Sequence, residues 1–282
     1  MNIFFCGGIP KSGTTLLQRI LDLHPDVGCS SEENINFIAN NFIKLHADYN
    51  QKLLIRAKRI GSENCPLINQ DVFIKSLFDL LKEIAIDRNK GKKFFGISDN
   101  HFLPSNINSL LSYFNKSKII LIFRNPIDTA LSTWDHNHRL YKDEKFEKHL
   151  DLLKVDNDLN IEKYVIQRSK IWNEDVNKIF NQINKNKDDI LIIRYEDLCN
   201  NKTDLVLKIF TFLGASIDQN IITNIVQNSS LKSMKVNSPN PNFFSKGRIN
   251  FGYGDLPNNI IKEVLEICEE GMGLLSMKLP KI

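Results

Sequence analysis

The residues best equipped for chemistry lie at 7–15, Gly-Gly-Ile-Pro-Lys-Ser-Gly-Thr-Thr. Glycines let a backbone close in on an anion, and the free N–H groups of a helix start point at it. Thr14 and Thr15 add hydroxyl donors, and Lys11 is the only cation of the stretch. Such a loop holds phosphate. The nucleotide-hydrolase loop runs G-x-x-x-x-G-K-[ST]. Gly8 and Gly13 keep that separation, but Thr14 stands where the lysine belongs, and Lys11 lies two residues before Gly13. The cradle is therefore not wired like a Mg-dependent ATPase. A second phosphate-gripping group is Arg124, whose planar fork suits bidentate contact with phosphate oxygens. Its alternative role is a surface ion pair with Asp128, four residues on.

These groups need elements to position them. Ile3 to Cys6 reads as a buried strand, and Leu16, Leu17, Ile20, Leu21 and Leu23 recur at helical spacing after the glycine turn. His24-Pro25-Asp26 stops that helix. Val27 to Ser30 reads as a short strand, and Ser30-Ser31-Glu32-Glu33 as a loop entering a helix, where the acids suit a first turn. Residues 34–88 are mostly helical around a polar loop at 60–69. One stripe is Phe37, Ile38, Phe42 and Leu45; the other is Val72, Phe73, Leu77, Leu80, Leu81 and Ile84.

Phe94 to Ser98 is a further strand, and the polar run Ser98-Asp99-Asn100-His101 follows its carboxyl end, where open α/β sheets bind ligands. Lys118 to Phe123 is the strongest strand; it delivers Arg124 into a helix opened by Pro126. Residues 134–160 read as a solvated helix-loop stretch whose charges need no functional role. A long helix over 162–183, with Trp172 in the core, precedes a strand at Ile190 to Ile193. A helix at 205–213 closes on Gly214, residues 231–242 form a loop, and a helix over 260–275 ends the pattern. The expectation is an α/β fold: one domain over 1–282, a P-loop-type parallel sheet flanked by helices, with 34–88 a helical elaboration around an acceptor site.

Composition sets bounds. With 282 residues, 42% of them hydrophobic, the chain can bury a sizeable core, and a net charge of +4 fits an anionic ligand but not a nucleic-acid binder. The first strand begins at Asn2, so no signal peptide is expected, and no apolar run reaches the length of a membrane span. Cys6, Cys29, Cys65, Cys199 and Cys268 show no metal-ligand spacing, so free thiols in a reducing cytoplasm and no bound metal are expected.

On these residues the chain resembles the sulfotransferases that use 3′-phosphoadenosine 5′-phosphosulfate (PAPS). Pro10-Lys11-Ser12-Gly13-Thr14-Thr15 after a strand resembles their 5′-phosphosulfate loop. Leu21 to Val27 and the pair Glu32-Glu33 are similar to the tyrosylprotein branch. In the family, an arginine and a serine eight positions apart hold the 3′-phosphate, as Arg124 and Ser132 are spaced here. The run Arg194 to Leu198 is similar to a family segment whose tyrosine lies near the adenine, which is Tyr195 here. Ser245-Lys246-Gly247-Arg248 is similar to the late basic loop over the 3′-phosphate, in a different order from the Arg-Lys-Gly form.

The resemblance implies PAPS as co-substrate, adenosine 3′,5′-bisphosphate (PAP) as product, and a hydroxyl-bearing acceptor: a small molecule, a carbohydrate, a lipid or a tyrosyl peptide. Lys11 would act on the transferring group. Ser12, Gly13, Thr14 and Thr15 would hold the 5′-phosphate, and Arg124, Ser132, Lys246, Gly247 and Arg248 the 3′-phosphate. A sulfuryl group carries less charge than a phosphoryl group, so no metal clamp is implied. The base that deprotonates the acceptor is Glu32, its neighbour Glu33, or His101. Glu32 follows Lys11 at the spacing of the tyrosylprotein branch. His101 precedes Arg124 by the spacing of the cytosolic branch, with a flank one residue longer. Two other classes stay open: a P-loop kinase or NTPase, which Thr14 argues against, and a non-catalytic nucleotide-binding module.

Overall fold

The strands explain the layering. Along β1 (Asn2–Gly8), Ile3 and Phe5 turn to one face of the sheet and Phe4 and Cys6 to the other; all four are buried. Strands buried on both faces read as continuous apolar runs, and parallel sheets covered by helices on each side have this character. The computed structural model describes residues 2–29, 34–61, 65, 67–144, 147–183, 187–236 and 249–277. After β1 come α1 (Thr14–Asp22), β2 (Val27–Cys29), α2 (Ile35–Arg59), α3 (Gln70–Arg88), β3 (Phe94–Ser98), α4 (Leu103–Tyr113), β4 (Lys118–Phe123) and α5 (Pro126–Glu144). They are followed by α6 (Glu147–Asp151), α7 (Ile161–Ile183), β5 (Ile190–Arg194), α8 (Tyr195–Asn200), α9 (Lys202–Leu213), α10 (Gln219–Asn228), α11 (Leu231–Val236), α12 (Asn258–Ile267) and α13 (Glu269–Leu274).

All described strand pairs are parallel, and the sheet order is β2-β3-β1-β4-β5. The chain leaves β1 toward β2 and β3 on one side, then crosses to β4 and β5 on the other. The connections after β1 and β4 therefore diverge, and a crevice opens at their carboxyl ends. One face of the sheet packs under α4, α7 and α12 around Trp172, Val176 and Val264; the other packs under α1, α9 and α10 around Leu17, Phe210 and Ile225.

His24, which ends α1, is fully buried: its Nδ1 accepts from Asp26 N (3.0 Å) and its Nε2–H donates to Ser216 O (2.9 Å). Gly214, in the left-handed region at φ 80°, ends α9 as its position in the sequence predicts.

Three expectations change. The loop expected over 231–242 begins as a helix, α11, over Leu231–Val236, and its remaining residues lie outside the described ones. The stripe facing the body on α2 is Ile35, Ile38, Ala39 and Phe42, whereas Phe37 and Leu45 are exposed, as is Val72 on α3. At 25 residues α2 is about 37 Å long. Only its first turns meet the main core, and beyond them α3 is its chief neighbour. The helix expected over 260–275 is two helices, breaking at Cys268, where the chain turns so that Gly271 can lie against Asn173 and Trp172.

Candidate active site

The cradle is built by β1 and α1. Past β1 the chain turns back on itself, with Ser12 N donating to Ile9 O (3.1 Å). Lys11 at φ 69° and Gly13 at φ 97° both lie in the left-handed region. A side chain at Gly13 would be strained by its backbone and would strike the Tyr195 ring, 2.3 Å from where its Cβ would stand. The first amides of a helix have no partner within it, and here α1 carries no side-chain cap. The amides at its start are thus presented to the crevice. Ser12 is fully buried, and its Oγ has no hydrogen-bond partner among the described residues. Asn100, past β3, donates from Nδ2 to Thr14 Oγ1 (3.2 Å), which leaves the threonine hydroxyl proton available for donation.

The exit of β4 is fixed from several sides. Trp172 Nε1 donates to Arg124 O (3.1 Å). Asn125 caps α5 by accepting from Asp128 N (2.8 Å), and its own N and Nδ2 donate to Glu196 Oε1 (2.9 and 3.0 Å). Arg124 is buried. It pairs with Asp128 (3.3 Å), so the ion-pair role foreseen for it is real, in the interior and not on the surface. Its Cζ lies 4.5 Å from the Tyr195 ring centroid and 5.3 Å from that of Phe251.

Both groups face one cavity of about 410 Å³, within the usual range for ligand sites. Lys11, Gly13, Thr14 and Thr15 line it from the cradle, Arg124 and Ser132 from β4 and α5, and Tyr195 from α8. Ser12, a residue of the same loop, is fully buried and does not line the cavity. His101 does not line this cavity: it is exposed, and its backbone N donates to Asp99 Oδ1 (2.7 Å). Glu32, Glu33, Lys246, Gly247 and Arg248 lie outside the described residues. None of the cavity's lining residues belongs to α2 or α3.

Sequence reasoning missed one wall. Asp135, His136 and Arg139 also line the cavity. They follow Ser132 by three, four and seven residues, so they share its helix face. That spacing was the available signal, hidden because their charges resemble a solvated stretch. Lys202, which also lines the cavity, was missed too; it donates to Ser229 O (2.7 Å), and burial lowers its pKa.

Burial, then the charges of Lys11, Arg139 and His149, push the His136 imidazole down from 6.5 to about 4. The unfolded chain thus takes up this proton before the folded one does. Stability should fall as pH drops from about 6.5 to about 4 and level off below. In urea denaturation at pH 7, 5.5 and 4.5, His136→Asn should show a shallower loss than the parent; an unchanged pH slope would refute this role.

Among the described residues, no group of three His, Cys, Asp or Glu is placed to hold a metal ion, and no helix is long and apolar enough to cross a membrane.

The family model for the sulfotransferase domain matches residues 3–276. The chain is similar to protein-tyrosine sulfotransferase 1 of Danio rerio, 51% identical over 35 residues, and to that of Homo sapiens, 49% identical over 35 residues. Each match covers 12% of this chain and about a tenth of the relative's length. In fold it is similar to a mouse sulfotransferase complexed with PAP, with a TM-score of 0.59 and 19% identity over 96% of this chain and 84% of that one. It is also similar to a sulfotransferase domain from the curacin biosynthetic pathway, with a TM-score of 0.55 and 17% identity over 99% of each chain. With the family model spanning nearly all of the sequence, the chain belongs to the sulfotransferase family.

Proposed function

We propose that this protein transfers a sulfuryl group from PAPS to a hydroxyl acceptor by in-line attack, without a metal. The observation that carries this reading is the meeting of the 5′-type cradle and the Arg124–Ser132 pair on one cavity. The residues fit such a nucleotide: the buried Ser12 Oγ has no partner among the described residues, Gly13 leaves room where a side chain would not fit, and donors dominate both ends. PAPS supplies the sulfuryl group when bound. Thr14, Thr15 and the α1 amides hold the 5′-phosphate end, and Arg124 with Ser132 the 3′-phosphate. Tyr195 packs on Arg124 and Gly13 at the adenine side. Lys11 offsets charge that builds on the leaving oxygens as the bond breaks.

The acceptor hydroxyl must lose its proton, and Glu32 is our choice of base over Glu33 and His101. Support comes from the flanking resemblance over Leu21 to Glu33 and from His101, which is exposed and does not line the cavity. On the family resemblance, Lys246, Gly247 and Arg248 complete the 3′-phosphate contacts. The acceptor class is a small molecule, a carbohydrate or a tyrosyl peptide; the last is supported by the names of the curated relatives, over their short match. A cytoplasmic site of action is supported by the cysteine pattern, five residues scattered along the sequence with neither metal-ligand spacing nor a dense disulfide framework.

The test is nucleotide binding. Arg124→Ala should weaken PAP binding by about 1.5–3 kcal/mol, the range for a charged hydrogen bond, and leave adenosine 5′-monophosphate nearly unaffected. Equal losses for both nucleotides would sink the assignment. Against the kinase alternative, PAP without Mg²⁺ should raise the melting temperature of the parent protein, and ATP with Mg²⁺ should not.

A further inference from the structure

The first helix turns of α5 carry a buried carboxylate that the transfer chemistry does not use. Asp128 is fully buried, and its oxygens gather three donors from two parts of the chain. Oδ2 accepts from Arg124 Nη2 (3.3 Å) and Asn250 N (2.7 Å), and Oδ1 from Gly252 N (3.0 Å). A buried carboxylate is costly unless its oxygens are satisfied, and here they are satisfied in a way that joins Arg124 to the 250–252 turn. The turn is shaped for this. Asn250 adopts φ 55°, and a side chain at Gly252 would strike Ile127 at 2.4 Å and Leu131 at 2.8 Å. The same turn delivers the Phe251 ring to one side of the Arg124 guanidinium, whose contacts also include the Tyr195 ring.

We propose that Asp128 is a positioning residue for nucleotide binding: with the 250–252 turn it locks the Arg124 guanidinium in one orientation, aimed at a phosphate on the cavity. The inference rests on the proposed role of Arg124 toward the 3′-phosphate. Arginine loses much rotamer freedom when it grips an anion, and a side chain already held by an ion pair and two rings has lost it beforehand. The opposing physical effect has the opposite sign. A carboxylate beside Arg124 also subtracts positive potential from the site, so if its charge dominated, removing it would tighten anion binding. The sign of one measurement therefore decides between the two.

The experiment is titration calorimetry of the full chain with PAP and with adenosine 5′-monophosphate, for the parent, Asp128→Asn, Arg124→Ala and the double variant. Asparagine keeps the shape but replaces one acceptor with an NH₂ group, which cannot accept from the turn or from Arg124. Asp128→Asn should weaken PAP binding about tenfold or more, change 5′-monophosphate binding less than about twofold, and have almost no further effect once Arg124 is alanine. If Asp128→Asn fails to fold, Gly252→Ala, which lifts the turn while leaving the carboxylate, should give the same selective loss. Tighter PAP binding, equal losses for the two nucleotides, or an undiminished effect in the Arg124→Ala background would each overturn the proposal. A parent protein that does not bind PAP at all would overturn the proposed function, and this inference with it.

Discussion

Lys11→Ala should lower kcat by about 10²–10³ while raising the donor KM far less. That is the range for removing a single group that stabilises charge in the transition state, about 2.7–4 kcal/mol. The expectation comes from place and chemistry together. Lys11 lines the cavity beside Gly13, Thr14 and Thr15. No lysine follows Gly13, where the hydrolase loop would have one. Charge builds on the leaving oxygens only as the bond breaks, so a cation aimed there acts on turnover more than on ground-state binding. The variant should fold normally. Lys11 sits at φ 69°, and alanine pays the same left-handed cost because both residues carry a Cβ. An unchanged melting temperature with kcat reduced would separate catalysis from stability, and normal turnover would refute the role.

Glu32→Gln should cut kcat by roughly 10²–10⁴ with PAP affinity intact, the span typical of a positioned general base. His101→Gln should cost much less. The flank of Glu32, from Leu21 to Glu33, matches the tyrosylprotein branch over a longer run than the His-Phe-Leu-Pro flank of His101 matches the cytosolic one. His101 is also exposed and does not line the cavity that holds Lys11 and Arg124. A carboxylate partly desolvated in a closed site has its pKa raised toward neutrality, which suits proton abstraction. Steady-state kinetics of both variants with a turned-over acceptor decide the matter. An inactive His101→Gln beside an active Glu32→Gln would reverse the assignment.

The sequence alone determined the local elements that carry the site. Strand, glycine turn and helix from Asn2 to Asp22 were legible because apolar runs and glycine positions answer to short-range sterics. The strand Lys118–Phe123 and the Arg124 exit were legible for the same reason, and so was the Gly214 cap, since only glycine adopts its φ without strain. Arg124 at the strand exit and Ser132 two turns into the following helix were legible as a pair through the family spacing they resemble.

Tertiary structure decided what lies between distant segments. It set the crossover from β1 to β4 that creates the crevice, which depends on strand order and not on any strand's own residues. It chose which stripe of α2 meets the core, because a helix extending past its support leaves apolar residues such as Phe37 exposed whatever their spacing. It turned Asp135, His136 and Arg139 from apparent solvent charges into a cavity wall, by packing α5 beside the cradle. It also made Asp128 a junction, since the amides of Asn250 and Gly252 reach it from 122 and 124 residues away. Periodicity records the face a residue occupies on its own element; which surface that face meets is fixed only when the elements pack.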